Sequence, residues 1–391
     1  MSQFSTSAGV PVFRPKESGH ASLIKWILIG IAAMVALLFG SLLLLLFGAS
    51  NGLFGLIFGI VAATLPVPIY MTLLLWLDRF EPEPPWLLAV AFFWGALVAT
   101  FAAVIGNSVM GIVASKLFDP ETGQKLTLSF SAPFFEESFK AMILFIIFFW
   151  RKADFDGILD GIIYAGMVAL GFAMTENIEY YGNPNFAKVP TLIMRGIFSP
   201  FAHPLFTSMT GIGLGISRES KNKFIKVVAP LCGLALAMLL HFTWNTSTYA
   251  GQYLAEKQEE KVQSQVLLML GTYFLFMVPA FFGLLGVVGF ALFREGRMIR
   301  RNLAPELASG ALTAGEVKTL GSVFGRLYAS GNALTRSGFA AWKARRRFHE
   351  AASQLAFHRN RIANGTVEVN ADSSAHEAEL LEYLIDRKRR L

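Results

Sequence analysis

The sequence predicts an all-α, polytopic membrane protein with about eight transmembrane helices and a helical, cytoplasmic C-terminal tail. Composition is the first reason: 54% of the 391 residues are hydrophobic and only 16% are charged, which is too apolar for a soluble enzyme. Patterning is the second reason. Apolar runs of spanning length recur as far as about residue 293, and the remainder is Ala-rich and basic.

Hydropathy identifies eight candidate spans. They cover residues 23–48, 53–77, 86–117, 130–150, 157–181, 190–217, 225–249 and 265–293. We interpret the first span as an anchor rather than a cleaved signal, because it is longer than a signal-peptide core and further spans follow it. The chain thus divides into a cytoplasmic N-terminal segment (1–22), a transmembrane domain (23–293) and a basic tail (294–391).

Basic residues in alternate loops determine the predicted orientation. They occur before the first span and after the fourth, sixth and eighth spans, at Arg14, Lys16, Lys25, Arg151, Lys152, Arg218, Lys221, Lys223, Lys226, Arg294, Arg297, Arg300 and Arg301. Loops 182–189 and 250–264 carry little net positive charge. We therefore expect both termini in the cytoplasm and these two loops outside.

The tail contains 17 Lys and Arg residues against 10 Asp and Glu, an excess of seven that equals the net charge of the whole chain. Its densest basic cluster is at Lys343, Arg345, Arg346 and Arg347. We interpret the tail as a solvated helical segment that rests on anionic lipid headgroups and is separable from the chemistry of the membrane domain. Nucleic-acid binding is not expected, because aromatic and basic residues do not alternate as they do in such sites.

Four spans carry acidic or imidazole groups where apolar residues are expected, in segments 134–140, 172–180, 195–206 and 241–245. A charged residue at the centre of a span costs roughly 2.5–3.5 kcal/mol on insertion scales. A membrane protein that keeps several such residues is expected to use them. The predicted orientation places all four segments in the outer half of the bilayer, so we expect them to meet in one polar cavity.

The polar groups form a set that is suited to the activation of water. Glu136 and Glu137 are the preferred general bases, assisted by Glu176 or His203. His241 and Asn245, one helical turn apart, are candidates for stabilising an oxyanion.

Three further residues support this site. Lys140 is one turn from Glu136 and can hold one Glu ionised, and Asn177 and Arg195 lie in the same motifs. His203, His241 and Glu137 also match the three-ligand pattern of catalytic zinc. The sequence therefore leaves the cofactor open between zinc and none.

The motifs resemble those of the PrsW family of intramembrane proteases. The matching elements are EESFK at Glu136–Lys140, FAMTEN at Phe172–Asn177, AHPLF around His203, HFTWN at His241–Asn245 and the DRFEPEP loop at Asp78–Pro84. The resemblance extends in order over about residues 55–295 and leaves the tail outside.

This resemblance implies a peptidase of the bacterial plasma membrane that cleaves membrane-anchored regulators such as anti-sigma factors. The family is grouped with the CAAX-protease and bacteriocin-processing superfamily. Glu176 stands where the second motif of that superfamily has His, and the resemblance is compatible with a metallo-type or a glutamic-type mechanism.

Two other classes of protein account for the same polar cluster. A proton-coupled transporter or channel would use it as a relay, but such proteins are expected to show internal repeats and a site at the midplane. A catalytically inactive immunity or scaffold protein would keep the fold without the reaction.

Overall fold

The computed structural model describes residues 5–7, 10–12, 19–185, 188–257, 270–365 and 367–391. The regular structure of this part is helical apart from two short antiparallel strands, β1 (Ser5–Ser7) and β2 (Val10–Val12). The prediction of an all-α protein is confirmed. Arg14, Lys16, residues 258–264 of the 250–264 loop and the start of the eighth predicted span lie outside the described residues.

Ten helices precede the tail. They are α1 (Gly19–Thr64), α2 (Val67–Leu77), α3 (Pro85–Leu117), α4 (Pro120–Leu126), α5 (Ala132–Trp150), α6 (Ile158–Gly182), α7 (Lys188–Ile193), α8 (Ala202–Glu219), α9 (Lys223–Lys257) and α10 (Leu270–Asn302). The wider π-helical turns occur at Trp94–Ala99, Thr127–Ser131, Met194–Phe198 and Tyr273–Met277.

Five described helices are long and apolar enough to cross a membrane, namely Met34–Leu77, Pro85–Leu117, Ile158–Gly182, Lys223–Ser247 and Leu270–Asn302. Helices are also present at the fourth and sixth predicted spans, α5 and α8, but they do not meet this criterion. In α5 the reason is the charge of Glu136, Glu137 and Lys140. A multi-pass membrane protein is therefore supported, and the number of eight spans stays a prediction.

Gly52 separates the first two predicted spans within α1. Its φ of 67° is in the left-handed region, which glycine adopts at little cost. A Cβ on Gly48 would lie 3.5 Å from the Leu56 side chain. Residues eight apart in a continuous helix are about 12 Å apart along its axis, so the chain turns sharply at Gly52.

Helix α6 is the most buried of the candidate spans. Its apolar residues occur on all sides over most of its length, which is typical of a helix enclosed by other helices. Glycines allow the closest approaches: a Cβ on Gly161 would overlap the carbonyl oxygen of Gly211 in α8, and a Cβ on Gly95 would overlap that of Val168. Small residues of this kind let helix backbones pack closely in membranes. Helix α6 is thereby held against both α3 and α8.

The chain forms two compact units, and the predicted division into three segments stays a prediction. One unit contains Ile31–Leu77 and Glu83–Val287, and it holds all the candidate site residues. The other contains Met1–Gly30, Asp78–Pro82 and Val288–Leu391. Its tail helices are α11 (Ala304–Ala308), α12 (Ala314–Leu320), α13 (Val323–Ala363) and α14 (Ala371–Arg389).

The second unit has its own apolar core, and Phe80 from the 78–82 loop is part of that core. Phe80 is 1% exposed and clusters with Ile299, Leu320 and Phe348. The buried Arg326 guanidinium lies over the Phe80 ring at 4.6 Å. The tail is therefore a folded helical unit that includes a loop from between α2 and α3, which the expectation of a separable tail did not anticipate.

Replacement of Gly161 by Ala is predicted to destabilise the protein. The new Cβ would overlap the Gly211 carbonyl and push α6 away from α8. Overpacking of this kind costs about 1–3 kcal/mol. The matched control is Gly283→Ala in α10, where a Cβ meets no described atom within 4 Å. Thermal melts in detergent compare the two variants. Equal melting temperatures would contradict the close α6–α8 approach.

Replacement of Phe80 by Ala is predicted to lower the free energy of unfolding by about 3–5 kcal/mol, as for other buried Phe side chains. Phe324→Ala is the matched control, because Phe324 is 78% exposed. Limited proteolysis of the tail and thermal melts report the effect. A Phe80 variant as stable and protease-resistant as the Phe324 variant would show that the loop does not belong to this core.

Candidate active site

The four polar segments meet in the first unit. Helix α5 contributes Glu136, Glu137 and Lys140, and α6 contributes Glu176 and Asn177. Arg195 lies in the π-helical turn after α7, His203 in the first turn of α8, and His241 in α9. The break at 199–201 before α8 places His203 at the start of a helix rather than within one. These residues form one connected network of polar contacts.

Glu137 is the most connected residue of this network. Its carboxylate is fully buried and accepts from Lys140 Nζ at 2.9 Å, His241 Nδ1 at 3.0 Å and Thr207 Oγ1 at 2.8 Å. These three donors come from α5, α9 and α8. Glu137 therefore holds three helices and one imidazole in a fixed arrangement.

Lys140 is also fully buried, and its ammonium group is shared. Besides Glu137, it contacts Glu136 Oε2 at 3.4 Å and His203 Nδ1 at 3.1 Å, and it lies 3.8 Å from the centre of the Phe172 ring. A buried ammonium needs such partners, since removal from water is costly. Lys140 thus connects the Glu pair to the second imidazole.

Glu176 connects His203 to the edge of the site. Glu176 Oε2 lies 2.9 Å from His203 Nε2 and also accepts from the Arg195 guanidinium. Arg195 donates a further hydrogen bond to Asn177 Oδ1 and lies over the Tyr180 ring at 3.8 Å. The fixed fork of the guanidinium fits this double contact.

The network assigns the tautomers of both imidazoles. An ammonium group only donates, so His203 Nδ1 accepts from Lys140, and Nε2–H donates to Glu176. His241 Nδ1–H donates to the Glu137 carboxylate, which leaves the Nε2 lone pair free of that contact. His241 Nε2 lies 3.8 Å from Glu136 Oε2. The free edge of the His241 ring therefore faces Glu136.

Glu136 differs from its neighbour in how its carboxylate is held. Among the described residues, its closest polar contacts are with Lys140 at 3.4 Å and His241 at 3.8 Å. Both distances are longer than those of the Glu137 contacts. Glu136 is nevertheless buried, with 6% of its surface exposed. A buried carboxylate with weak contacts is available for a proton, a water or a cation.

The ionised groups of the network do not balance. Glu136, Glu137 and Glu176 carry three negative charges, and Lys140 and Arg195 carry two positive ones. An uncompensated charge in a low-dielectric site is costly. The balance is restored by a proton shared within the network or by a bound cation.

Glu136, His203 and His241 can hold such a cation. One donor atom from each lies within 4.8 Å of the other two, and all three residues are buried. Two imidazoles and one carboxylate are the donor set of several catalytic zinc sites. Glu137, the carboxylate that the sequence predicted as a ligand, accepts from Lys140, His241 and Thr207, and its place in a metal site stays a prediction. A carboxylate that accepts from an imidazole N–H in this way can orient a metal-binding ring.

A small cavity of about 20 Å³ opens beside His203. It is lined by Ala173, Asn177, Arg195, Ser199, Pro200, Ala202, His203 and Trp244. Arg195 and Asn177 form its polar wall. A cavity of this size has room for about one water molecule beside His203.

Asn245 and Thr207 differ from what the sequence predicted. Asn245 is not in the network: its Nδ2 donates to the Leu128 carbonyl oxygen at 2.9 Å, in the π-helical turn before α5. Its predicted part in the chemistry stays a prediction. Thr207, which the sequence analysis did not single out, donates to Glu137. The available signal was its position four residues after His203, on the same face of α8.

Comparison with known proteins identifies a family. A family model described as PrsW family intramembrane metalloprotease matches residues 83–284. Protease PrsW of Bacillus subtilis is 31% identical over 169 residues, covering 43% of this chain and 72% of that protein. Protease PrsW of Oceanobacillus iheyensis is 30% identical over 160 residues, covering 41% and 67%. No solved structure matches the chain significantly.

The matched region contains all the network residues and ends before the tail helices. The family description names a metalloprotease, and the structure shows a buried Glu/His/His cluster that can bind a metal. Helices of spanning length and composition occur throughout the matched region. The chain is a multi-pass membrane protease and belongs to the PrsW family of intramembrane metalloproteases.

Proposed function

We propose that the chain hydrolyses peptide bonds of membrane-anchored proteins, such as anti-sigma factors, at the site formed by Glu136, His203 and His241. The loop charges favour a site in the outer half of the bacterial plasma membrane, with both chain termini in the cytoplasm. The observation that carries the proposal is the pairing of a loosely held buried carboxylate with two oriented imidazoles beside a small cavity.

Glu136 is the proposed general base. Its carboxylate faces the His241 Nε2 edge and has no short hydrogen bond to a described residue. Such a group can take a proton from water as it attacks the peptide carbonyl, and can later return the proton to the leaving amine. Lys140, 3.4 Å away, stabilises the ionised form of Glu136, the form that can take a proton.

Glu137, Glu176 and Arg195 are proposed as positioning residues. Glu137 fixes the ring of His241, and Glu176, held by Arg195, fixes the ring of His203. With the rings fixed, His203 and His241 are oriented toward Glu136 before substrate arrives. Preorganised polar groups stabilise developing charge without reorganisation at the moment of reaction.

Zinc is the proposed metal, with His203 and His241 as its ligands, so that the neighbouring Glu136 stays free to act as the base. When bound, it would polarise the peptide carbonyl and make water more acidic. Lys140 contacts both Glu136 and His203. Binding of a cation therefore requires the Lys140 ammonium to move toward Glu137, its nearest carboxylate partner.

The two adjacent carboxylates are predicted to respond differently to removal of their charge. Glu136→Gln is expected to reduce turnover about 10²–10⁴-fold with little change in melting temperature. Glu137→Gln is expected to destabilise the fold by about 3–5 kcal/mol, because it breaks a buried ion pair.

Cleavage of a single-span substrate in proteoliposomes and thermal melts of the same preparations test this difference. Glu121→Gln, in the exposed pair with Lys125, is the control for loss of a carboxylate. Full activity of Glu136→Gln would contradict the proposed base. A rise in stability for Glu137→Gln would contradict its positioning role.

Metal content is predicted to depend on the same residues. The purified protein is expected to bind about one zinc ion per chain, and His241→Ala should lose it. His376→Ala, in the other unit, is the control. Elemental analysis and cleavage assays with a chelator measure these effects.

Chelator-resistant cleavage by a zinc-free protein would contradict the metal assignment. Loss of turnover in Glu136→Gln would then support a glutamic-type reaction at the same site. Transport activity without cleavage in the reconstituted protein would contradict both assignments.

A further inference from the structure

A second cavity, in the tail unit, has cationic side chains at four of its six lining residues. It lies between α13 and α14 and has a volume of about 180 Å³. Lys343 and Arg347 of α13 and Arg387 and Arg390 at the end of α14 surround it, with two alanines of α13 between them. The protease network of the first unit contains none of these residues.

The spacing of the four cations brings them to one place. Lys343 and Arg347 are one helical turn apart, and Arg387 and Arg390 are three residues apart, so each pair shares one face of its helix. The two faces point into the same cavity. Like charges held together in this way repel one another, and an anion placed between them removes the repulsion.

Nearby carboxylates offset only part of this charge. Asp386 Oδ1 accepts from Arg390 at 3.0 Å, and Glu350 interacts electrostatically with Arg346 and Arg347. Lys343 and Arg347 form no salt bridge with a described residue. The α13 side of the cavity is therefore the side with more uncompensated positive charge.

Arg387 provides a second, independent observation. Its Nε atom is buried and has no hydrogen-bond acceptor among the described residues. Arg387 Nε forms an ion pair with Asp386 Oδ2 at 3.8 Å. This distance is too long for a hydrogen bond. Buried donors usually have partners, so an acceptor from outside the chain is expected here.

We propose that this cavity binds a phosphate group, carried by an anionic lipid headgroup or free in solution. Guanidinium groups bind phosphate oxygens through paired hydrogen bonds, and a lysine ammonium adds a point charge. Phe339, 66% exposed and one turn before Lys343, stacks on Trp342 at 5.2 Å. An exposed aromatic pair beside a phosphate site suits the interface of a membrane.

The full-length protein in neutral detergent tests the proposal. It is titrated with inorganic phosphate, with dihexanoyl phosphatidylglycerol and with dihexanoyl phosphatidylcholine, at constant ionic strength set with chloride. Isothermal calorimetry measures affinity. Lys343→Gln with Arg347→Gln is the test variant, and Lys318→Gln with Arg336→Gln, two exposed cations outside the cavity, is the matched control for net charge.

Saturable binding that weakens about tenfold or more in the test variant, and not in the control, supports the site. Phosphatidylglycerol binding much tighter than phosphate identifies a lipid headgroup as the source, and equal affinities identify the free anion. No saturable binding to the wild-type protein, or equal weakening in test and control variants, overturns the proposal. The titration of the wild-type protein can overturn the proposal by itself, so the proposal is tested even where a variant misfolds.

Discussion

The fully buried contact between Lys140 and Glu137 is the interaction on which the rest of the site depends. Breaking a buried ion pair costs about 3–5 kcal/mol, because the remaining charge has no solvent to stabilise it. Through Thr207 and His241 the same carboxylate fixes α8 and α9. The pair is thus a structural requirement for the catalytic geometry as well as a source of charge.

The apolar surroundings hold this network in one arrangement more strongly than water would hold a similar network. Helix α6 contacts its neighbours through glycines, so the helix backbones and the polar side chains between them have little freedom to separate. In such a medium each charge must find a partner within the protein. Glu176 and Arg195 satisfy this requirement at the cavity, where the network reaches its more exposed edge.

The sequence was sufficient to predict the fold class and the charged and imidazole residues of the network, because such groups are costly in apolar spans. It could not predict which side chains touch. The contact of Thr207 with Glu137 and the engagement of Asn245 with Leu128 depend on the rotation of helices about their axes. The place of Phe80 in the tail core depends on packing between segments more than 200 residues apart, which local patterns do not encode.

The different environments of Glu136 and Glu137 follow from helical geometry. Adjacent residues on an α-helix point about 100° apart, so two neighbouring carboxylates cannot have the same surroundings. Glu137 faces Thr207 and the Nδ1 edge of His241, whereas Glu136 faces the Nε2 edge of the same ring. One carboxylate can then hold the imidazole while the other shares its reactive edge. In the function proposed above, a pair of adjacent acids would provide two functions from a single turn of helix, which would explain why both are present in a span where each is costly.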